Sequence, residues 1–365
     1  MPGWVSISYV CRHWRNVALN CPILWSNLFL TSPRWTEVLL SRSKHAPLRI
    51  HVKTDNWLRI IPEYHFVEEV VNHVDRVEEL HLYLAFNRSD YSFFSKFSTP
   101  ARRLQNLLII TRTIPADWEW PTVLFDGDTP ALRTLELMFR PVSWYSLNLS
   151  ALTALCLHFI PASFHQNTTD LLAILRCLQN FTRLYLENSL ASAADFLSTT
   201  AFHACQKFSL PHLSRLWITA PCSTVIALLT CVKIPLKTEV RIECRFEDGS
   251  SFDDYFSLSP LLAQRLAASN DEAPPTIHSL VIKFRFNRVS IILNAPARDH
   301  ADAFISPRVQ WGSNIPLRVI IYFDGLLSTS DDLNNRDRIT SDICCSMPLT
   351  TVQNIHIIRH EHGFG

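Results

Sequence analysis

A short phrase of aliphatic residues recurs along the chain, in the order apolar-x-x-Leu-x-Leu, with Ile replacing Leu at times. Apolar and polar positions alternate at the end of the phrase, which predicts a short β-strand with its leucines on one side. The eight copies lie at 77–82, 104–109, 132–137, 152–157, 181–186, 213–218, 277–282 and 352–357. The recurrence predicts that one structural unit is used repeatedly.

The spacing of the copies indicates the kind of repeat. Between Leu80 and Leu216 the central leucines are separated by 27, 28, 20, 29 and 32 residues, and leucine-rich repeats are roughly 20–29 residues long. We therefore expect an α/β fold, a leucine-rich-repeat-like solenoid with parallel strands on one face and helices on the other. The asparagine that usually ends the repeat phrase is missing, so the repeats should be irregular, and an ordinary α/β domain is the alternative.

The segments between these strands carry apolar residues at helical spacing. Helices are predicted at 35–43, 64–76, 170–178 and 224–233, and another from 260 onward. Ser223 is the expected N-cap of the helix at 224–233. Alternating apolar and polar residues predict further strands at 48–52, 239–243 and 317–322.

The N-terminal segment has a helical pattern of its own over residues 5–20. Four apolar residues three or four positions apart share one face of this predicted helix: Val10, Trp14, Val17 and Ala18. Cys11 flanks that face and is expected to be buried.

A second helix is predicted to begin at Pro22, because a proline lacks the N–H that would be unbonded in a first turn. Leu24, Trp25 and Leu28 are expected on the apolar side of this second helix.

These two predicted helices contain the order V-C-x-x-W-R-x-V-A-L, a short gap and then P-x-L-W, at residues 10–25. The order resembles the second half of an F-box, of the kind expanded in mushroom-forming (agaricomycete) fungi. The family's first helix opens with a Leu-Pro-x-Glu-like motif and should precede Val5, where only Met1-Pro2-Gly3-Trp4 stands. We therefore expect a truncated F-box-like helical segment over 1–45 and an irregular leucine-rich-repeat-like domain over 46–365.

The resemblance implies a partner, the Skp-type adaptor of a cullin-RING ubiquitin ligase. The chain would then be the substrate-recognition subunit of a Skp–cullin–F-box ligase, in the cytoplasm or nucleus, and would bind a target protein through its repeats. The residues that the resemblance assigns to adaptor binding are Val10, Trp14, Arg15, Val17, Ala18, Pro22, Leu24 and Trp25. The alternative is a protein-interaction scaffold that has lost adaptor binding because the first F-box helix is missing.

The target-binding surface is predicted from the alternation of the strands. If the leucines of each phrase point into the core, the residues between and just after them point to the concave face. Aromatic residues, which are enriched at interaction hot spots, are frequent in this row: His81, Tyr83, Glu136, Met138, His158, Tyr185, Glu187 and Trp217. The alternative is that other parts of the chain cover the row, so that these residues are ordinary packing.

Composition narrows the class of partner. The 365 residues are 47% hydrophobic and 18% charged, which is typical of a folded chain. The net charge is +1, so we expect no binding of nucleic acid or of a membrane surface. The ten cysteines form no C-x-x-C pair, and no signal peptide is predicted, so we expect free thiols in a reducing compartment.

The sequence offers no motif for catalysis. G-x-x-x-x-G-K-[ST], G-x-G-x-x-G, G-x-S-x-G and H-E-x-x-H are all missing. The nearest approach to a metal-ligand cluster is formed by His356, His360, Glu361 and His362, at a chain end where the supporting contacts of a metal site are not expected. We predict a protein that is not an enzyme and has neither a metal nor a cofactor.

Overall fold

The computed structural model divides the chain into two compact units, Met1–Phe164 and His165–Gly365. The residues that the structure describes are 6, 9–30, 33–53, 72–84, 97–111, 123–139, 147–160, 168–192, 207–235, 238–245, 260–261, 279–285, 288–293, 319–324, 338, 341–342, 345 and 354–359. The predicted boundary after residue 45, which rests on sequence pattern and not on contacts, stays a prediction.

The first unit begins with a helix and has further helices between its strands. Its elements are α1 (Arg12–Leu19), a 3₁₀ helix (Pro22–Trp25), β1 (Asn27–Leu30), α2 (Pro33–Ser43), β2 (Leu48–Lys53), a 3₁₀ helix (Val74–Arg76), β3 (Val77–Leu84), β4 (Asn106–Thr111), a 3₁₀ helix (Phe125–Gly127), β5 (Thr134–Met138) and β6 (Ala154–His158).

The six strands of the first unit form a sheet in chain order, and each strand is parallel to the next. Two rows of aliphatic side chains run across this sheet, and each member is 3% exposed or less. One row is Leu28, Ile50, Leu80, Leu107, Leu135 and Leu155, and the other is Val52, Leu82, Ile109, Leu137 and Leu157. The rows form the core on one face of the sheet, and the predicted parallel strands of this unit are confirmed.

The second unit has the remaining elements. These are α3 (Thr168–Cys177), β7 (Arg183–Glu187), β8 (Phe208–Ser209), β9 (Arg215–Pro221), α4 (Cys222–Cys231), β10 (Val232–Lys233), β11 (Glu239–Arg245), β12 (Ser279–Arg285), β13 (Arg288–Leu293), β14 (Val319–Asp324) and β15 (Asn354–Arg359).

The sheet of the second unit is only partly parallel. β7, β9, β11 and β14 are parallel neighbours in that order, whereas β13 lies antiparallel between β14 and β12, and β12 is parallel to β15. The short strands β8 and β10 form a separate parallel pair. α4 contacts α3, β9 and β11, so helices cover one face of the parallel part. The fold is α/β and mostly parallel, as predicted, and the sequence reading missed the strands β1, β8, β10 and β13.

The helical part of the N-terminal segment is shorter than predicted. The 3₁₀ helix ends at Trp25, and Leu28 lies on strand β1, opposite Ile50 of β2. The predicted helix at 22–28 is therefore wrong in its second half. The physical reason is that Leu28 is 0% exposed in the first buried row, and that burial outweighs the local helical spacing.

Two further helix predictions change in the structure. α4 has Pro221 as its N-cap, so Ser223 lies inside the first turn, and the prediction of Ser223 as the cap is wrong because β9 extends to Pro221. Most of the predicted helix at 64–76 lies outside the described residues, and its end is the 3₁₀ helix Val74–Arg76.

Three strands end in the same unusual backbone conformation. Phe139, Phe159 and Asn188 follow β5, β6 and β7 directly, and their φ values of 60°, 50° and 47° are left-handed. This conformation costs about 1–2 kcal/mol for a residue with a side chain. The N–H of Phe139 still donates to the carbonyl oxygen of His158, at 2.9 Å, so the turn keeps one more bond to the next strand.

A buried arginine joins the end of α2 to the start of β3. Arg76 is 8% exposed; it donates to the Oγ of Ser43 and the carbonyl oxygen of Ala46, each at 3.2 Å, and to the carbonyl oxygen of Lys44. Burial lowers the pKa of Arg76, and the charge of Asp75 offsets part of that effect. The guanidinium thus satisfies two carbonyl groups of the turn that follows α2.

We predict that Arg76→Met will lower the free energy of unfolding of the first unit by about 1–3 kcal/mol, because buried carbonyls lose their donor. Urea unfolding followed by tryptophan fluorescence measures the change. Arg102→Gln is the control. Arg102 makes one ion pair with Asp128 at 2.6 Å, but its side chain is 76% exposed, so the urea midpoint of this variant should equal that of the wild type. Equal midpoints for all three proteins would show that the Arg76 contacts do not stabilise the unit.

Candidate protein-interaction site

Helix α1 and the turn before it present apolar side chains to solvent. Val10 is 70% exposed, Trp14 51% and Val17 46%, while Ala18 is 1% exposed. The four residues were predicted to share one apolar face. Ala18 is buried against the rest of the unit, and the other three are exposed. Ile23 on the neighbouring 3₁₀ helix is 61% exposed.

Local hydrogen bonds fix both ends of α1. Cys11 is the N-cap, and its Sγ accepts from the backbone N–H of Trp14 at 3.5 Å. Asn20 closes the other end, because its backbone N–H and its Nδ2 both donate to the carbonyl oxygen of Asn16. Cys11 is exposed, so the prediction that it is buried is wrong; capping places its side chain at the helix end.

The two tryptophans of this segment have opposite roles. Trp25 is 1% exposed, and its Nε1 donates to the carbonyl oxygen of Ala18 at 2.7 Å. The guanidinium carbon of Arg42 on α2 lies 4.3 Å from the centroid of the Trp25 ring, a cation–π contact. Trp25 therefore links α1 to α2 through its own side chain, and Trp14 is left on the surface.

The predicted adaptor-binding residues are accordingly split between surface and interior. Val10, Trp14, Arg15 and Val17 are exposed, and Pro22 and Leu24 are half-buried. Ala18 and Trp25 are buried and can act only by positioning the exposed residues. Ile23 is exposed as well, and the sequence reading omitted it. Its position between Pro22 and Leu24 on the short helix could have indicated that it lies beside the predicted binding residues.

Rings from three strands pack together on the face of the first sheet opposite the aliphatic rows. Phe29 of β1 stacks on His51 of β2 with ring centroids 5.0 Å apart, and His51 meets His81 of β3 edge-on at 4.5 Å. Arg49 and Glu79 form an ion pair beside them, with Arg49 Nε 3.5 Å from the carboxylate. We call this face of the first unit the outward face.

Most of the predicted target-binding residues of this unit lie on the outward face. His81, Tyr83, Glu136 and Met138 are half-buried there. His158 is 3% exposed, so it does not present its side chain to solvent as predicted. Phe29, at 51% exposed, was missed because residues 22–28 were assigned to a helix; the alternation Leu28-Phe29-Leu30 was the signal for it.

The corresponding residues of the second unit also come together. Tyr185 of β7 and Trp217 of β9 lie directly opposite each other in the parallel register, with ring centroids 6.1 Å apart. Both rings and Glu187 are half-buried. The pair is thus brought together as a cross-strand contact, which leaves part of each ring accessible.

The possible metal ligands do not come together within the described part of the chain. No group of three or more His, Cys, Asp or Glu side chains that could hold a metal ion is found among them, and His360, Glu361 and His362 lie outside the described part of the chain. A cavity of ≈ 10 Å³ in the second unit is lined by leucine, isoleucine and valine side chains alone, so no ionisable group faces it. None of the helices in the described ranges is long and apolar enough to cross a bilayer.

Comparison with known proteins finds no relative. No family model matches the chain, no curated protein matches it, and no solved structure matches it. The interpretation of the site therefore rests on its geometry and on the sequence pattern of residues 10–25.

We predict that Trp25→Phe will loosen α1, because the substitution keeps most of the ring but removes the donor to Ala18. A hydrogen bond contributes about 1 kcal/mol, so its loss should raise the population of opened α1 about fivefold. Because trypsin cleaves the opened form, cleavage at Arg12 and Arg15 under native conditions should be about fivefold faster. Trp14→Phe is the matched control and should be cleaved at the wild-type rate. Unchanged cleavage of Trp25→Phe would show that this hydrogen bond does not hold α1.

Proposed function

We propose that this protein is an F-box-type substrate receptor of a Skp–cullin–F-box ubiquitin ligase, and that it binds the adaptor through the exposed face of α1 and the adjoining 3₁₀ helix. We call this surface the α1 patch and define it as Val10, Trp14, Val17 and Ile23. The resemblance of residues 10–25 to the second half of an F-box motivates the proposal, and the exposure of the α1 patch supports it.

The concentration of exposed apolar side chains is the observation that carries the proposal. Five of the eight large hydrophobic residues that are exposed among the described residues fall between positions 9 and 23: Tyr9, Val10, Trp14, Val17 and Ile23. Scattered single apolar residues on a surface are ordinary, but a cluster of them marks an interaction site. A tryptophan at the centre of such a cluster is the residue type most enriched at binding hot spots.

We further propose that the parallel strands belong to an irregular leucine-rich-repeat-like solenoid that binds the target protein. Parallel strands in chain order and aliphatic rows in register within the first unit support it. The Phe29, His51 and His81 rings in the first unit and the Tyr185 and Trp217 pair in the second are the best candidates for target contact, because aromatic surfaces supply much contact area with few rotatable bonds.

In this proposal the chain carries out no bond chemistry. Its α1 patch holds the ligase and its repeats hold the target, so the target lysines meet the ubiquitin-carrying subunit at a high effective concentration. Such a receptor acts in the cytoplasm or the nucleus, where the ligase operates.

Co-purification with a Skp-type adaptor tests the proposal. Val17→Asp should reduce adaptor capture more than tenfold, because a carboxylate would be buried without a partner in the contact. Val123→Asp is the matched control, since Val123 is 47% exposed and Val17 is 46% exposed, and it should bind as the wild type does.

Each other outcome has a defined meaning. Equal loss of capture in both variants points to a general effect on folding, which circular dichroism would reveal. Equal retention places the adaptor contact away from the α1 patch. Failure of the wild type to bind any Skp-type adaptor rejects the receptor role and favours the scaffold alternative.

A further inference from the structure

The charged residues of the N-terminal segment that holds the α1 patch all have one sign. The first acidic residue of the chain is Glu37, and residues 1–36 carry three arginines and no aspartate or glutamate. Two of these arginines, Arg12 and Arg15, belong to α1, and both are exposed. The whole chain has a net charge of only +1, so the positive charge of this end is local.

The two arginines lie on a different side of α1 from its apolar side chains. Successive residues of a helix are rotated by about 100°, which places Arg15 about 100° and Arg12 about 160° from Trp14 around α1, on the side away from Val17. His13 touches Trp14 edge-on, with ring centroids 6.3 Å apart. Protein interfaces commonly surround an apolar centre with a polar rim, and Arg15 and His13 are the α1 residues nearest to such a rim.

We infer that the partner of the α1 patch presents an apolar groove with an acidic rim, and that Arg12 and Arg15 steer the encounter between the two. The inference rests on the proposed function, in which that partner is the Skp-type adaptor. The apolar centre supplies the stability of the complex, and the two guanidinium groups speed its formation.

Steering requires that the arginines act before contact. Their field extends over the Debye length, which is ~10 Å at about 0.1 M salt and ~3 Å at about 1 M. Charge complementarity raises association rates from roughly 10⁵–10⁶ M⁻¹s⁻¹ toward 10⁸ M⁻¹s⁻¹ at low salt, while rim charges change dissociation little. The inference therefore concerns the association rate and its dependence on salt.

The double variant Arg12→Glu/Arg15→Glu tests the inference by surface plasmon resonance, with the purified adaptor as the probe. The association rate should fall more than about tenfold at low salt and much less at about 1 M salt, with the dissociation rate changed less than about threefold. The control is Arg12→Lys/Arg15→Lys, which keeps both charges and should associate as the wild type does. Acidic side chains suit the first turns of a helix, so circular dichroism should show α1 intact in the double variant.

The results separate the inference from the function on which it rests. If the adaptor binds and the charge-reversed variant associates at the wild-type rate, the acidic rim is wrong and the receptor role stands. A reduced rate in the lysine control as well would assign the effect to guanidinium geometry and overturn steering. If the adaptor binds none of the proteins, the proposed function is wrong and the inference falls with it.

Discussion

Matched rows of aliphatic side chains determine where every strand of the first sheet lies. Leu28, Ile50, Leu80, Leu107, Leu135 and Leu155 are consecutive partners in parallel register and are almost fully buried. A shift of one residue would turn a whole strand's leucines toward the opposite face. Since fully burying one leucine stabilises a fold by about 1.5–3 kcal/mol, register is strongly specified. The outward face, with its rings and its ion pair, is a consequence of this register.

Burial also decides which of two similar residues is structural. Trp14 and Trp25 lie eleven positions apart in the N-terminal segment, yet one is half exposed and the other almost completely enclosed. Trp25 has a carbonyl partner and a guanidinium above its ring, which fix it inside. Trp14 keeps its ring on the surface while its backbone N–H bonds to the cap. The surface tryptophan is therefore presented by a helix that the buried tryptophan holds in place.

Elements whose local pattern and long-range packing agree could be predicted from the sequence. The strands at 77–82, 104–109, 132–137 and 152–157 satisfy both, and the structure has β3, β4, β5 and β6 there. Leu28 fits helical spacing locally but packs in a strand opposite Ile50. Because Ile50 is far along the chain, the local pattern could not indicate this pairing. The exposure of side chains could not be predicted in the same way. Alternation places His158 and His81 on the same face of the sheet, but tertiary packing buries His158. The solvent-facing side of α1 likewise depends on where Trp25 docks.

The strands keep one register although the chain between them varies greatly in length. The intervals between central leucines in the first unit are 27, 28 and 20 residues, and the leucines still pair directly across the sheet. Lengthening a connection costs little free energy, because closure entropy grows only with the logarithm of its length. Insertions and deletions between strands can therefore accumulate over evolutionary time without disturbing the interior.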